Sequence, residues 1–422
     1  MKNSMEVMYA EYGRYISRFR AIPYYIDILR PSERRILLSG FEISKNKSTK
    51  SAKVVGHCIG NYHPHGDTSS YGTLVKLANK DFFTKQGNFG FKGLIPSGPA
   101  AMRYTEVKMK EWLINLAFKF IDYVDWINYE YEFEPEFLPS PIPVGLIGEG
   151  INIGTAFHKT VLPRYKFNDL KNRMKYLLDY EKDNKTKNVD LIPHIHGNKV
   201  TLNKNYKDLL SKGFAKVTFI ADHKSVDKSK IVNGYEIEIP INPSKLKKFV
   251  ETNDLSIKDL TSKNLVKIFI SGKNIDYKKL HESLINSISF NCLVINDKNQ
   301  VIRMSIDEML INNYNKFKEV LVKYYNKKLS EKNNIIYDYE IIKEIKKFLE
   351  NNRINNIDNL INSITNFPSN DIKNVISKYH INTLFKIDLD VESINKEIKE
   401  IQNNINNIDN YIYNYLNNIS ID

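Results

Sequence analysis

Residues 56–70 read GHCIGNYHPHGDTSS and crowd His57, Cys58, His63, His65 and Asp67 into one short stretch. Side chains of these types can ligate a metal, move protons or donate hydrogen bonds to an anion. Structural zinc takes four nitrogen or sulfur ligands in spaced pairs. Here a lone cysteine would have to combine with histidines two apart, which an extended chain sends to opposite faces, and no second pair follows nearby. The stretch therefore reads as a polar loop, and no metal ligand is assigned to the chain. Asp388 and Asp390 form a short acidic pattern, but without a Gly loop or a distant acidic partner it reads as a solvated helix start. GEGINIG at 148–154 superficially resembles a dinucleotide loop; Pro141 and Pro143 precede it, however, and the β-type INIGTA follows where a helix is required. No P-loop is present.

The elements that must position this stretch fall into three regions. Residues 1–130 mix short helical patterns with Gly-rich turns, including a helix over TSSYGTLVKLANK entered through Asp67 as N-cap. Residues 131–300 open with the Pro-punctuated FEPEFLPSPIPVGLIGEG and continue with alternating runs, AKVTFIA, YEIEIPI and LVKIFIS, which predict strands. From 301 onward Ile, Asn and Lys dominate. Ile394, Ile398, Ile401, Ile405, Ile408, Ile412, Tyr415 and Ile419 recur at spacings of four and three, a heptad seam. Leu310, Tyr314, Phe317, Leu321 and Tyr324 offer an antiparallel partner for it within the chain. The expected class is a multidomain α+β protein.

Composition narrows the function. With 422 residues, 42% hydrophobic, and no apolar run near the ~20 residues a membrane helix needs, a membrane protein is not expected. The N-terminus has no apolar stretch behind its lysine, and two cysteines do not make a disulfide framework, so a reducing cytoplasm is the expected location. The formal charge is +13, and residues 1–120 hold 19 Lys+Arg against 9 Asp+Glu. Positive charge concentrated in this way attracts a polyanion through counterion release. Nucleic acid is the expected partner.

Five motifs in order point further. SRFRAIPYYIDILRPSERR at 17–35, KSAKVVGHCIGNYHPHGD at 50–67, QGNFG at 86–90, AAMRYTE at 100–106 and LPSPIPVGLIGEGINIGTA at 138–156 resemble the DNA-cleavage subunit of type IIA topoisomerases. The chain ends soon after the second coil arm, leaving no room for the DNA-wrapping domain of gyrase, so the resemblance is greatest to the compact subunit of phage topoisomerases. It implies a winged-helix DNA-cleavage domain over 1–130, a mixed α/β tower domain over 131–300, and a long antiparallel coiled coil ending in a small helical dimerisation gate over 301–422. It also implies that Tyr104 is the nucleophile, assisted by Arg103, Arg34 and His65, with Lys50, Lys53, His63 and Thr68 facing DNA and Ile151 wedging between base pairs. A phenol ordinarily titrates near pH 10, so such a nucleophile needs positive charge beside it to favour the phenolate and the crowded oxyanion.

By the same resemblance, the partners are double-stranded DNA, a second copy of the chain, and one or more separate subunits that hold Mg²⁺ and hydrolyse ATP. In bacterial members of that family, quinolone drugs attach to a hydroxyl residue just after HPHGD and to an acidic residue four positions on. Those positions are Thr68 and Gly72 here. Two other functions compete. His194-Ile195-His196 and the Tyr104-to-Lys108 spacing are the parts of a metal-dependent single-strand nickase, and an idle Tyr104 would leave a DNA-bridging structural protein.

Overall fold

A computed structural model describes residues 2–91, 96–129, 132–183, 188–195, 198–200, 204–226, 234–237, 243–261, 267–273, 275–351 and 357–421. The chain is mixed α/β, with antiparallel sheets of three, four and five strands among the described residues. It divides into two compact units: residues 1–317 with 415–422, and residues 318–414.

The first unit opens with helix α1 (Lys2–Ile16). Helix α2 (Pro31–Ser44) starts at a proline, whose locked φ and missing N–H suit a first turn, while Arg30 N donates to Glu33 Oε2 at 3.1 Å. Strand β1 (Thr49–Lys50) leads into α3 (Ser51–Asn61), the HPHGD turn and α4 (Asp67–Asn79). Strands β2 (Phe83–Gln86) and β3 (Glu106–Met109) complete a sheet of order β1-β3-β2, with Val107 between Thr49 and Lys85. Leu37, Val54, Cys58, Leu74, Leu77, Phe83 and Met109 are buried between helices and sheet. Gly40 lets α2 lie on that sheet, because a Cβ there would stand 2.6 Å from the Phe83 ring. The cap of α4 differs by one residue from the expected one. Gly66 is the cap, and Asp67 is the first helical residue, its carboxylate accepting from Thr68 N at 2.7 Å. Asp67 thus satisfies a first-turn amide from inside the helix.

Helix α5 (Glu111–Ala117) and the hairpin β4 (Trp126–Tyr129) and β5 (Glu132–Pro135) follow. The Pro-punctuated segment is buried from 137 to 147. It delivers the chain to β6 (Ile151–Thr155) and β7 (Lys159–Pro163), the first two strands of the five-stranded sheet. Ile285–Asn291, Phe214–Ala221 and Asn198–Val200 continue it. AKVTFIA forms its strand as expected: Ala215, Val217, Phe219 and Ala221 are buried in alternation with more exposed neighbours. YEIEIPI and LVKIFIS contribute the strands Gly234–Ile237 and Ile268–Ser271 of the four-stranded sheet; residues 238–241 and 265–266 of those runs lie outside the described residues.

Helix Ile306–Asn351 runs for 46 residues. The expected third region starts at 301, but the second compact unit starts at 318, because Met309, Leu310, Tyr314 and Phe317 are buried in the first. Within the second unit that helix is met antiparallel by the Ile-rich stretch. Lys318 Nζ pairs with Asp409 at 2.9 Å, Tyr325 meets Tyr411 with ring centroids 5.4 Å apart, Lys332 pairs with Glu397, and Tyr339 Oη donates to Asp388 at 2.9 Å. The Ile-rich stretch is two helices, Val391–Asn406 and Ile408–Asn417, and not one. The break falls at Asn407, whose side chain turns back to Asn403 O and Oδ1; such local bonds compete with the helix. Asp390 caps the first of the two by accepting from Ser393 N at 3.0 Å. Helices Ile357–Ser363, Ser369–Tyr379 and Ile381–Leu384 pack on Ile341, Ile342 and Ile345 of the long helix.

Candidate active site

Tyr104 is 63% exposed, at the end of a tight turn closed by Tyr104 N donating to Ala101 O at 2.9 Å. An exposed tyrosine is ordinary; one on so constrained a base is not. The turn is held from α3, where Ser51 N donates to Thr105 O at 2.9 Å and Ala52 N to Met102 O at 3.3 Å. It is also held from α4, where Tyr71 Oη donates to Ala100 O at 2.7 Å and lies 3.0 Å from Thr105 Oγ1. Fully buried Thr105 donates in turn to Ser51 Oγ at 2.8 Å. A third wall is the QGNFG turn. Gly87 has φ 100°, and a Cβ there would stand 2.9 Å from the Tyr104 carbonyl, so only glycine admits both the conformation and the approach. The side chain projects into solvent from backbone that cannot drift, as a reacting group requires.

One cation lies against it, and two histidines precede α4. The Arg103 guanidinium carbon lies 4.6 Å from the centre of the Tyr104 ring. His65 is partly buried just before α4, its ring edge-on to His63 with centroids 4.3 Å apart and its amide donating to His63 O at 2.6 Å. Buried His63 has Nδ1 2.7 Å from Arg35 Nη1. A guanidinium can only donate, so Nδ1 accepts and the ring carries its proton on Nε2.

Arg34 lies inside the scaffold. It is 3% exposed, with Nε 2.7 Å and Nη2 3.0 Å from Asp27 and Nη1 3.0 Å from Glu134. Glu134 also takes Arg35 Nη2 at 3.0 Å, and Asp27 accepts the amides of Leu29 and Leu138. Two adjacent helix arginines are thereby consumed by carboxylates brought from β5 and from the turn before α2. In this structure Arg34 ties α2 to the scaffold, whereas the reading of it as a phosphate contact expects a guanidinium open to the surface. Arg35, Thr105, Ser51 and Tyr71 were missed in sequence, where three are ordinary helix residues and Thr105 a turn residue before β3.

Of the DNA-facing candidates, His63 is buried, while Lys50, Lys53, Thr68 and Ile151 are exposed or partly exposed on the first unit. Lys50 is exposed and pairs with Glu106 at 2.7 Å, lowering the proton affinity of that carboxylate through the hydrogen bond. Lys53 is exposed on α3 and Thr68 at the start of α4. Ile151 is partly exposed opposite Pro163, while Ile153 beside it is 45% exposed.

The crowded stretch of residues 56–70 does not converge. His57 Nε2 faces Glu42 at 3.5 Å, and Cys58 is buried, its thiol pushed up to about 11 by desolvation. His194 lies near Glu149, and Gly150 N donates to its carbonyl; His196 lies outside the described residues. Among the described residues, no group of three or more His, Cys, Asp or Glu side chains is placed to hold a metal ion.

A family model for the A subunit of DNA gyrase/topoisomerase IV matches residues 20–422. The chain belongs to that family. It is 41% identical over 194 residues to the A subunit of DNA gyrase from Campylobacter jejuni, covering 42% of this chain and 22% of that protein. It is 32% identical over 318 residues to the A subunit of DNA topoisomerase 4 from Borreliella burgdorferi, covering 70% of this chain and 47% of that protein. The chain spans less than half the length of these relatives. Membership in this gyrase/topoisomerase IV family accounts for the order of the five motifs. The contacts above bring QGNFG against RYTE and tie RYTE to α3 and α4, the two helices that flank HPHGD. Among the described residues no helix is long and apolar enough to cross a membrane.

Proposed function

We propose that this chain is the DNA-cleavage and religation subunit of an ATP-dependent type II topoisomerase, and that Tyr104 is its nucleophile. The observation that carries the reading is the exposed Tyr104 hydroxyl, beside Arg103, on a turn pinned between α3, α4 and Gly87. Tyr104 Oη attacks the phosphorus of a backbone phosphodiester. The new bond is a tyrosyl O–P ester at the 5′ phosphate, and the bond broken is P–O3′, whose oxygen leaves as the 3′ hydroxyl after taking up a proton. Arg103 and His65 supply positive charge or donors to the crowded oxyanion. His63 holds His65 by edge-on contact and is held by Arg35. Attack by the 3′ hydroxyl reverses the step, and because the ester conserves the energy of the broken bond, resealing consumes no ATP. Arg34 positions α2 against β5, and Ile151 wedges the cut duplex from the end of β6, the form that kinking side chains take.

At the level of domains, α2–α4 with the three-stranded sheet serve as the winged-helix domain, the four- and five-stranded sheets as the tower, and the antiparallel helices with the small helices as coiled coil and dimerisation gate. Two copies would present two tyrosines to the two strands of a duplex, matching its twofold symmetry. Among the described residues no three His, Cys, Asp or Glu side chains are grouped to hold a metal ion; on this reading Mg²⁺ and ATP are assigned to a partner subunit, and the complex to the cytoplasm.

The test mixes the full chain with an ATPase partner and duplex DNA and traps covalent complexes with detergent. The unmodified chain should yield a protein-linked 5′ end, and Tyr104→Phe should bind DNA equally while yielding none. An adduct that persists in Tyr104→Phe sinks the assignment. Cutting of single strands without the partner would favour the nickase instead.

A further inference from the structure

Behind the GEG turn that leads into β6, three cations share one carboxylate. Arg30 Nη2 lies 2.8 Å from Glu33, which is fully buried. Arg164 is 0% exposed, gives Nη1 to Ile147 O at 2.8 Å and rests over the Phe82 ring. Lys80, partly buried at the end of α4, is close enough to act electrostatically on both Arg164 and Glu33. The turn sits directly over this group. At Gly148, φ 109°, a Cβ would lie 3.6 Å from both Arg164 Nη1 and the Lys80 carbonyl.

Two features distinguish the cluster from an ordinary buried ion pair. Its charge does not balance, and its donors are not used: among the described residues Arg164 Nε and Nη2 and Arg30 Nε are buried with no hydrogen-bond partner. Buried donors without acceptors and buried charge without countercharge are both costly. The strain is visible in Lys80, which burial first, and then Arg164, push down to about 7. One tetrahedral oxyanion would relieve both, because it brings negative charge and several acceptors that suit a guanidinium fork.

We propose that Arg30, Lys80 and Arg164 form a binding site for one phosphate group beneath the Gly148 turn, separate from the phosphate that Tyr104 attacks. Gly148, against Arg164 and Lys80, lies three residues before Ile151, so on the cleavage-subunit reading the site grips the DNA backbone beside the wedge and anchors the strand that the wedge bends. The Gly-rich turn would give a phosphate access where a side chain would shut it out.

Two measurements on the full chain test this. In the first, duplex affinity is followed across a salt series for the unmodified chain, Lys80→Met and Lys80→Arg. Met keeps the aliphatic stem and removes a buried charge, so folding should survive. The slope of log K against log salt should fall by about 1 in Lys80→Met, with affinity down roughly threefold to tenfold at moderate salt, and recover in Lys80→Arg. In the second, inorganic phosphate should raise the melting temperature of the unmodified chain above chloride at matched ionic strength, and not that of Lys80→Met. A lost slope identifies a DNA phosphodiester; phosphate protection with an unchanged slope identifies a free phosphate or monoester. Neither effect would overturn the site and leave Arg164 as a brace between Ile147 and Phe82. A chain that forms the Tyr104 adduct but shows neither effect overturns this site alone, whereas phosphate protection without any adduct overturns only the cleavage reading.

Discussion

At the scale of single residues, the candidate nucleophile depends on neighbours that never touch a substrate. Thr105 is the hub, its hydroxyl between Ser51 and Tyr71. Thr105→Val keeps the shape and leaves those two hydroxyls short of a partner, at a cost of about 1–3 kcal/mol. The expected outcome is a lower urea midpoint and slower formation of the covalent complex at unchanged duplex affinity. Equal cleavage rates would show that the Tyr104 turn is held without the hydroxyl chain. Gly72 offers the opposite case, since a Cβ there meets nothing within 4 Å. Gly72→Glu should therefore stabilise α4 by roughly 0.5 kcal/mol through helix propensity. It also restores the acidic side chain that family resemblance places opposite quinolones, a contact of about 1.5–3 kcal/mol. Poor drug trapping by the unmodified chain, partly recovered in Gly72→Glu, is expected in a cleavage assay.

At the scale of elements, the junction of α2, α4 and the GEG turn carries a pH signature. Glu33 is pushed up by burial but pulled down further by Arg30, reaching about 2, so its favourable contribution is present above the usual carboxylate range and is lost only as pH falls towards 2. Lys80 acts in the other direction. Its folded value of about 7 lies below the 10.5 of the free side chain. Below pH 7 both states hold the proton and the folded state bears the full penalty of a buried cation beside Arg164, Arg30 and Lys76, only partly offset by Glu33. Between about 7 and 10.5 the unfolded state binds more protons, so stability rises with pH. Denaturant midpoints measured from pH 6.5 to 9.5 should therefore climb more steeply for the unmodified chain than for Lys80→Met. Parallel curves would place Lys80 in water.

At the scale of the whole molecule, one chain offers one Tyr104, and a duplex has two strands. If two copies form the gate, an assembly of one unmodified chain and one Tyr104→Phe chain should nick a duplex and never cut both strands. Mixed assemblies made with two affinity tags and scored by the ratio of nicked to linear product check this. Linear product from the purified mixed species would mean that one tyrosine serves both strands. The concentration of positive charge in residues 1–120 fits a duplex gripped by the first unit, with affinity that declines steeply with salt.

How much of this could be read without coordinates follows from the range of the forces involved. The alternating burial of Phe214–Ala221, the seam from Ile394 to Ile419 and the start of α2 at Pro31 are legible because periodicity and caps are set by residues a few positions apart. HPHGD and RYTE were recognisable because the order and types of side chains along the chain carry the family's chemistry. The break at Asn407 was hidden inside an unbroken heptad pattern, since a local side-chain bond, and not the apolar spacing, ends the helix. The burial of Arg34 was out of reach because the number of donors on a guanidinium is a property of the residue, whereas their direction depends on Asp27 and on Glu134 a hundred residues away. Gly87 against Tyr104, and Arg164 beside Lys80 and Arg30, are likewise meetings across long stretches of chain. Residue identity and local period are thus present in the linear chain; which charges face one another, and which donors remain unspent, is decided only when folding removes water and brings distant groups within a few ångströms, where electrostatic and hydrogen-bond energies become large.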